Sequence, residues 1–363
     1  MDFCTFNKDK HGYDNVLVVI DRFSKHAISI PFQKTSESPA KEPSSKLDPA
    51  IQDLVKLIFN QQYFAATMTE LNYDVNKLPL GKLSKGTISR GYQALKDLAG
   101  LMNNSVLVTS EYGTTYKEAI EQLSNSDYLL IPHAFGRNRP PIISNQDMLL
   151  REIQLLDSLG DMKDTAAIMK DDLKDVGTDN QLDKQFEGLN LNEMIPIKRE
   201  SSEYVELYDY VVKTRGSTHY LNYEVEEIFK IERMANANGI YLADMSSKSA
   251  NYCNANLSNG HALLLLCEAE LGDPMQILTS ASYSAGEDAK SKGIWSTWGQ
   301  GTIGPQNWKD ASCVSNELKG VMMPDTNVLP SNTNAKIAHL MYNEYIAYNV
   351  AQVKLRYLLR VKM

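Results

Sequence analysis

The sequence predicts an α+β protein, an all-α helical bundle followed by a strand-dominated region. Between Asp48 and Leu156 apolar residues recur at helical spacing behind residues that cap helices, whereas from Tyr223 onward they recur at strand spacing. A polar stretch, roughly Asp175 to Leu189, separates the two regimes. With 363 residues, 43% hydrophobic and 23% charged, the chain has the apolar material for two or three domains.

Residues 1–34 read as two or three short strands: Val16 to Ile20 is a continuous apolar run, and Ala27 to Phe32 alternates loosely. Strands without sheet partners are at best marginally stable, so this piece is expected to pack poorly against the rest. Residues 35–46 carry two prolines and no apolar periodicity, as a linker does. A helical region follows over 47–180. Asp48 is placed to cap a helix with Pro49 at its first position, and Ile51, Leu54, Val55, Ile58 and Phe59 share one face. Ser84 caps a second helix, lined by Ile88, Tyr92, Leu95 and Ala99, and Asn145 a third with Leu149, Ile153 and Leu156. In the last region, 190–363, Tyr223, Val225, Phe229 and Ile231 keep a strand period, Ala262 to Leu266 suits a buried strand, and Val353 to Val361 alternates with Lys and Arg.

A net charge of -8 and a pI near 5.4 exclude gripping nucleic acid by bulk electrostatics, so any DNA contact would be local. Cys4, Cys253, Cys267 and Cys313 have no Cys-x-x-Cys spacing and no nearby His, which indicates neither a metal site nor a disulfide framework and fits a reducing compartment. No apolar run approaches the roughly 20 residues that span a bilayer, so no membrane partner is expected.

The stretch Gly239 to Cys253, Gly-Ile-Tyr-Leu-Ala-Asp-Met-Ser-Ser-Lys-Ser-Ala-Asn-Tyr-Cys, with Tyr342-Asn343-Glu344-Tyr345 downstream, resembles the NAD-binding signature and catalytic glutamate of poly(ADP-ribose) polymerases. Pro79 to Ser84, Ile131 to Gly136 and Pro140-Pro141 resemble the regulatory helical subdomain of the same family. The resemblance implies that a mixed α/β ADP-ribosyltransferase fold follows the bundle. It also implies NAD as substrate, protein acceptors including the chain itself, a nuclear location and a role in DNA repair, with DNA contact suggested by family context alone. Carried over by position, Tyr252 would stack on nicotinamide and Ser249 would hydrogen-bond its carboxamide. Tyr241 matches the tyrosine of a His-Tyr-Glu triad, binding cofactor and serving catalysis. Glu344 matches the glutamate that orients the acceptor hydroxyl and stabilises the oxocarbenium-like ribose. Without the resemblance, the tyrosines read as core aromatics, Ser249 as a turn residue, Glu344 as a strand end, and His133 as structural.

The family pattern is interrupted. Only Met234 to Asn238 separate the signature from the preceding strand, where the family carries several tens of residues with a His-Gly-Ser motif. The fold is therefore expected to lack part of its sheet between 233 and 239, and the activity to be impaired. The alternatives are an inactive remnant serving as a protein-interaction module, or a mispredicted gene product. His11-Gly12, the chain's one His-Gly pair, is misplaced for that role. It lies in a segment where Met1-Asp2-Phe3 and Val18 to Lys25 resemble the start of a long-terminal-repeat retroelement integrase core. Asp2 would match its first metal-binding carboxylate, but the other two acidic residues are absent and a two-metal site needs several, so integrase activity is not expected. Gly299-Gln-Gly301-Thr-Ile-Gly304 fits a dinucleotide fingerprint but precedes Pro305 with no βαβ unit, and reads as a flexible surface loop.

Overall fold

The computed structural model describes residues 15–20, 43–103, 115–136, 138–171, 180–191, 193–234, 240–282 and 284–363. Asp2, His11-Gly12, Ala27 to Phe32, residues 35–42 of the linker and the start of the polar stretch lie outside them. So does most of the short junction, at 235–239. The molecule divides into a helical unit, built on Val55–Gly188, and a strand-rich unit, built on Leu189–Met363 with Asp48–Leu54.

Side-chain caps start the helices that begin after Asp48, Ser84, Thr115 and Asn145, three of them the caps that the sequence offered. Asp48 Oδ1 accepts the Ala50 N–H at 2.8 Å ahead of α1 (Pro49–Ile58). Gln61–Glu70 forms α2. Ser84 Oγ accepts the Thr87 N–H at 2.9 Å ahead of α3 (Lys85–Asn103). A Thr115–Glu118 capping box opens α4 (Tyr116–Leu130), and Asn145 Oδ1 accepts the Met148 N–H at 2.9 Å ahead of α5 (Gln146–Asp171). Each such cap contributes about 1 kcal/mol. Of the apolar stripes, Ile51, Leu54, Val55, Phe59, Ile88, Leu95, Leu149 and Leu156 are buried, whereas Ile58, Tyr92, Ala99 and Ile153 are half-buried; Leu98 and Leu159 join the buried set.

The polar stretch is less open than its composition suggests, because Gln181–Gly188 forms a further helix, α6. Asn180 caps it, accepting the Leu182 N–H at 2.9 Å, and also donates to the Pro43 carbonyl at 2.9 Å. Asp183 accepts the Lys46 N–H at 3.1 Å. The polar side chains thus serve as cap and docking points for the end of the linker. His133 is buried between the Ile131 carbonyl at 2.7 Å and Glu152 Oε2 at 2.9 Å, with its ring stacked on Phe135.

In the strand-rich unit, β1 (Asn15–Ile20), β2 (Met194–Pro196), β3 (Glu224–Met234), β5 (His261–Glu270), β9 (Trp308–Asp310), β10 (Val321–Pro324) and β14 (Val353–Lys362) form one seven-stranded sheet, ordered β2-β3-β14-β5-β1-β10-β9. β5 is buried on both faces, which is why it reads as an unbroken apolar run. Helix α7 (Ser202–Lys213) shares one core with this sheet, where Leu207 and Val211 join Val225, Leu264, Leu266, Leu359 and Val361. A four-stranded sheet combines β4 (Ile240–Leu242), β6 (Gln276–Leu278), β7 (Ser296–Gly299) and β13 (Glu344–Ala347), in the order β4-β13-β7-β6. β8 (Gly301–Gly304), β11 (Ser331–Asn332) and β12 (Leu340–Tyr342) form a third sheet. Two short helices complete the unit, α8 (Ser246–Ala250) and α9 (Ala285–Ser291).

The expectation that the N-terminal strands stand apart does not hold for β1. Its six residues pair antiparallel with β5 from Asn15–Glu270 to Ile20–Leu265, and Asn15 and Val16 pair parallel with β10. The sheet that the short junction was expected to shorten is thus continuous through a strand from the other end of the chain. Deleting residues 1–34 would leave backbone donors and acceptors of β5 unpaired, at about 1–3 kcal/mol for each one kept from water. We expect the melting temperature to fall by several degrees, at roughly 2–4 °C per kcal/mol for a unit of this size. An unchanged melting temperature would return the segment to an independent appendage.

Candidate active site

The site grows from two short elements that the polypeptide brings together late. Ile240, Tyr241 and Leu242 form β4, and after Ala243 and Asp244 the chain enters α8, all five of whose residues are buried. β13 lies between β4 and β7, and all four of its residues are buried too. Tyr241 pairs with Ile346, and Glu344, the first residue of β13, pairs with Gly299. Lys248 of α8 reaches Glu344 across this junction: Nζ is 2.9 Å from Oε1, with the two side chains only 10% and 9% exposed. The ammonium also donates to the Tyr342 carbonyl at 2.9 Å. A carboxylate so enclosed is tolerable because it is paired.

A second layer fixes the surroundings. Asp244 is completely buried, and its Oδ2 accepts from Asn343 Nδ2 at 2.8 Å and Tyr345 Oη at 3.0 Å, the residues on either side of Glu344. Burial pushes the Asp244 carboxyl up to about 6, against the opposing pull of those two donors and of the Lys248 charge. Asn343 Oδ1 accepts from Trp298 Nε1 at 3.2 Å and the Gly301 N–H at 2.9 Å. On the other side, Ser247 Oγ accepts the Gly216 N–H at 2.7 Å and lies 2.8 Å from His219 Nδ1. The His219 ring sits 4.5 Å from that of Tyr342, and burial with the nearby Lys248 charge holds its pKa below the ordinary value. Thr218 Oγ1 is 2.6 Å from Tyr342 Oη, and a side chain on Gly216 would overlap that ring at 2.2 Å.

The glycine-rich segment is a correction. It is two strands, β7 and β8, joined at Gln300 and belonging to different sheets. Its glycines serve close packing: a Cβ on Gly301 would lie 2.2 Å from the Tyr342 carbonyl carbon, and one on Gly299 would lie 2.8 Å from Leu340 Cδ1. Four-residue strands are too short to show a period, so composition alone suggested a loop.

Of the sequence-derived candidates, Glu344 and Tyr241 lie on neighbouring strands, and Ser249 is buried beside Lys248 in α8. Tyr252 stands just beyond that helix, 45% exposed, with its N–H donating to the Ser249 carbonyl at 3.0 Å. Sequence reasoning missed Lys248, Asp244, Asn343 and His219. The first three sit inside the two motifs it quoted, but only the fold shows what they touch.

Residues 237–363 match the poly(ADP-ribose) polymerase catalytic domain, and residues 45–186 match the poly(ADP-ribose) polymerase regulatory domain. Poly [ADP-ribose] polymerase 2 of Homo sapiens is 32% identical over 91% of this chain and 61% of its own length. Poly [ADP-ribose] polymerase 2 of Arabidopsis thaliana is 31% identical over 90% of the chain and 56% of its own length. Poly [ADP-ribose] polymerase 1 of Danio rerio is 31% identical over 88% of the chain and 34% of its own length. The chain therefore spans little more than half of the first two relatives and a third of the last.

Proposed function

Since the chain belongs to the poly(ADP-ribose) polymerase family, carrying its regulatory and catalytic domains, we propose that it is an NAD-dependent ADP-ribosyltransferase that releases nicotinamide and passes ADP-ribose to protein acceptors, itself included. The observation that carries this reading is the enclosed Glu344 carboxylate paired with Lys248 beside β4 and α8. In the reaction the bond between ribose C1′ and the nicotinamide nitrogen breaks, its electrons leave with nicotinamide, and positive charge develops on the sugar. A fixed anion beside that carbon lowers the barrier, because it need not reorganise as charge appears. Glu344 would supply it and accept the hydrogen bond of an incoming hydroxyl. Tyr252 would offer a face to the nicotinamide ring, Ser249 a hydroxyl to its carboxamide and Tyr241 a wall on the adjoining strand. Lys248 would hold the glutamate in place until substrate enters.

We propose further that transfer is slow. β3 ends at Met234 in the seven-stranded sheet and β4 begins at Ile240 in the four-stranded one, so the junction at 235–239 leaves no length for a further strand and loop. Positioning accounts for much of what such sites achieve, and groups missing from that segment cannot be replaced by the carboxylate alone. The proposed setting is the nucleus and DNA repair. At a net charge of -8, any DNA contact would be local. No described helix is long and apolar enough to cross a membrane.

The test uses labelled NAD with the full chain and its Glu344→Gln variant. Weak nicotinamide release and automodification are expected, both reduced by about 10²–10³ in the variant, the scale for losing one preorganised electrostatic contact. Transfer that ignores the substitution would sink the assignment of Glu344, and robust transfer by the unaltered chain would sink the claim that the junction impairs it.

A further inference from the structure

We propose that Asp244 is a positioning residue for Glu344, fixing the rotation of β13 through the two residues that flank the glutamate. This rests on the transferase reading only for its effect on turnover. The geometry stands separately. Successive side chains of an extended chain point to opposite sides, so Asn343, the residue just before β13, and Tyr345 turn to one side and Glu344, between them, to the other. One carboxylate oxygen, Asp244 Oδ2, accepts from both flanking side chains, at 2.8 and 3.0 Å. Those two bonds straddle Glu344 and resist any twist of the strand that would swing its carboxylate away from Lys248.

The rest of the network prevents Asn343 from yielding. Its Oδ1 is taken by Trp298 Nε1 and the Gly301 N–H, which leaves Nδ2 as the group that faces Asp244. Tyr345 is pinned through its ring, which stacks on Trp298 with an interplanar angle of 16°. Asp244 itself has little freedom, being completely buried in the short link between β4 and α8, the helix that carries Lys248. Both partners of the Lys248–Glu344 pair are therefore referred to the same buried side chain. The second carboxylate oxygen, Oδ1, has no hydrogen-bond partner on another of the described residues. An asparagine could consequently keep Oδ1 on the two donors and turn its amide into that position.

The experiment reads the placement of Glu344 without relying on turnover. The coupling between Lys248 and Glu344 is measured by a double-mutant cycle, Lys248→Met with Glu344→Leu, from unfolding constants in the full chain. The cycle is repeated in Asp244→Leu and Asp244→Asn backgrounds. We expect the coupling, as a ratio of unfolding constants, to fall by about tenfold with leucine and to stay within about twofold with asparagine. If leucine prevents folding, Tyr345→Phe removes one of the two donors while keeping the ring, and a fall of about two- to fivefold is expected. Coupling that survives unchanged in the leucine background, or in Tyr345→Phe where leucine does not fold, overturns the proposal. In parallel, nicotinamide release from labelled NAD should lose kcat with leucine, leave KM for NAD within about twofold, and recover with asparagine. Turnover lost while the coupling is intact would also overturn it. A chain that transfers nothing even with Asp244 present bears only on the proposed activity.

Discussion

Replacing Lys248 with methionine is expected to destabilise the strand-rich unit by about 3–5 kcal/mol, the cost of stranding a buried charge whose partner has been removed. The expectation follows from the enclosure of the pair, with 9–10% of each side chain exposed, and from the second bond that Nζ makes to the Tyr342 carbonyl. Methionine preserves most of the length of the stem, so the loss reports the charge more than the packing. The double variant Lys248→Met, Glu344→Leu should recover most of the stability, since an apolar pair of similar volume carries no desolvation penalty. Urea unfolding followed by tryptophan fluorescence measures this locally, because Trp295, Trp298 and Trp308 all lie in the strand-rich unit. A single variant as stable as the parent would show that Glu344 finds another partner or reaches water.

Inserting a strand and loop bearing His-Gly-Ser between Arg233 and Gly239 is expected to raise NAD transfer by about two to three orders of magnitude, the scale of one or more recovered preorganised contacts. The gain should appear in both NAD binding and turnover, because the inserted groups would hold the nicotinamide and ribose against Glu344. Glu344→Gln in the repaired chain should abolish elongation, which separates restored chemistry from restored binding. A repaired chain that folds, binds NAD and gains no turnover would mean that the junction is not what limits the reaction. The insertion also has to be accommodated in a molecule whose large sheet is already continuous through β1, so its folding is checked first by the same fluorescence transition.

Much of the helical unit was legible because its signals are local. Asp48, Ser84 and Asn145 each accept a backbone N–H within the next three residues, and apolar spacing over three or four turns then fixes the buried face. α6 escaped because eight mostly polar residues carry no such stripe, and its helical state depends on Asn180 and on contacts with Pro43 and Lys46 more than a hundred positions earlier. The long strands β3, β5 and β14 were legible for the same reason as the helices. The strands of two to four residues were not, and among them are the ones that build the site.

By itself the sequence determined the α+β class, the bundle before the strand-rich region, the motifs of the polymerase family and the interruption ahead of Gly239. Those are properties of consecutive residues, or of residues a few turns apart, and are set by capping, periodicity and composition. Only the tertiary structure decided that Lys248 meets Glu344 and Tyr342, that Asp244 holds the residues flanking that glutamate, that Gly299 and Gly301 are packed strand positions, and that Asn15–Ile20 belongs inside the large sheet. Lys248 and Tyr342 are 94 positions apart, and Asn15 pairs with Glu270. At such separations no local preference selects the partner. The choice is made by which buried backbone edges and charges would otherwise go unpaired once the apolar core has closed around them.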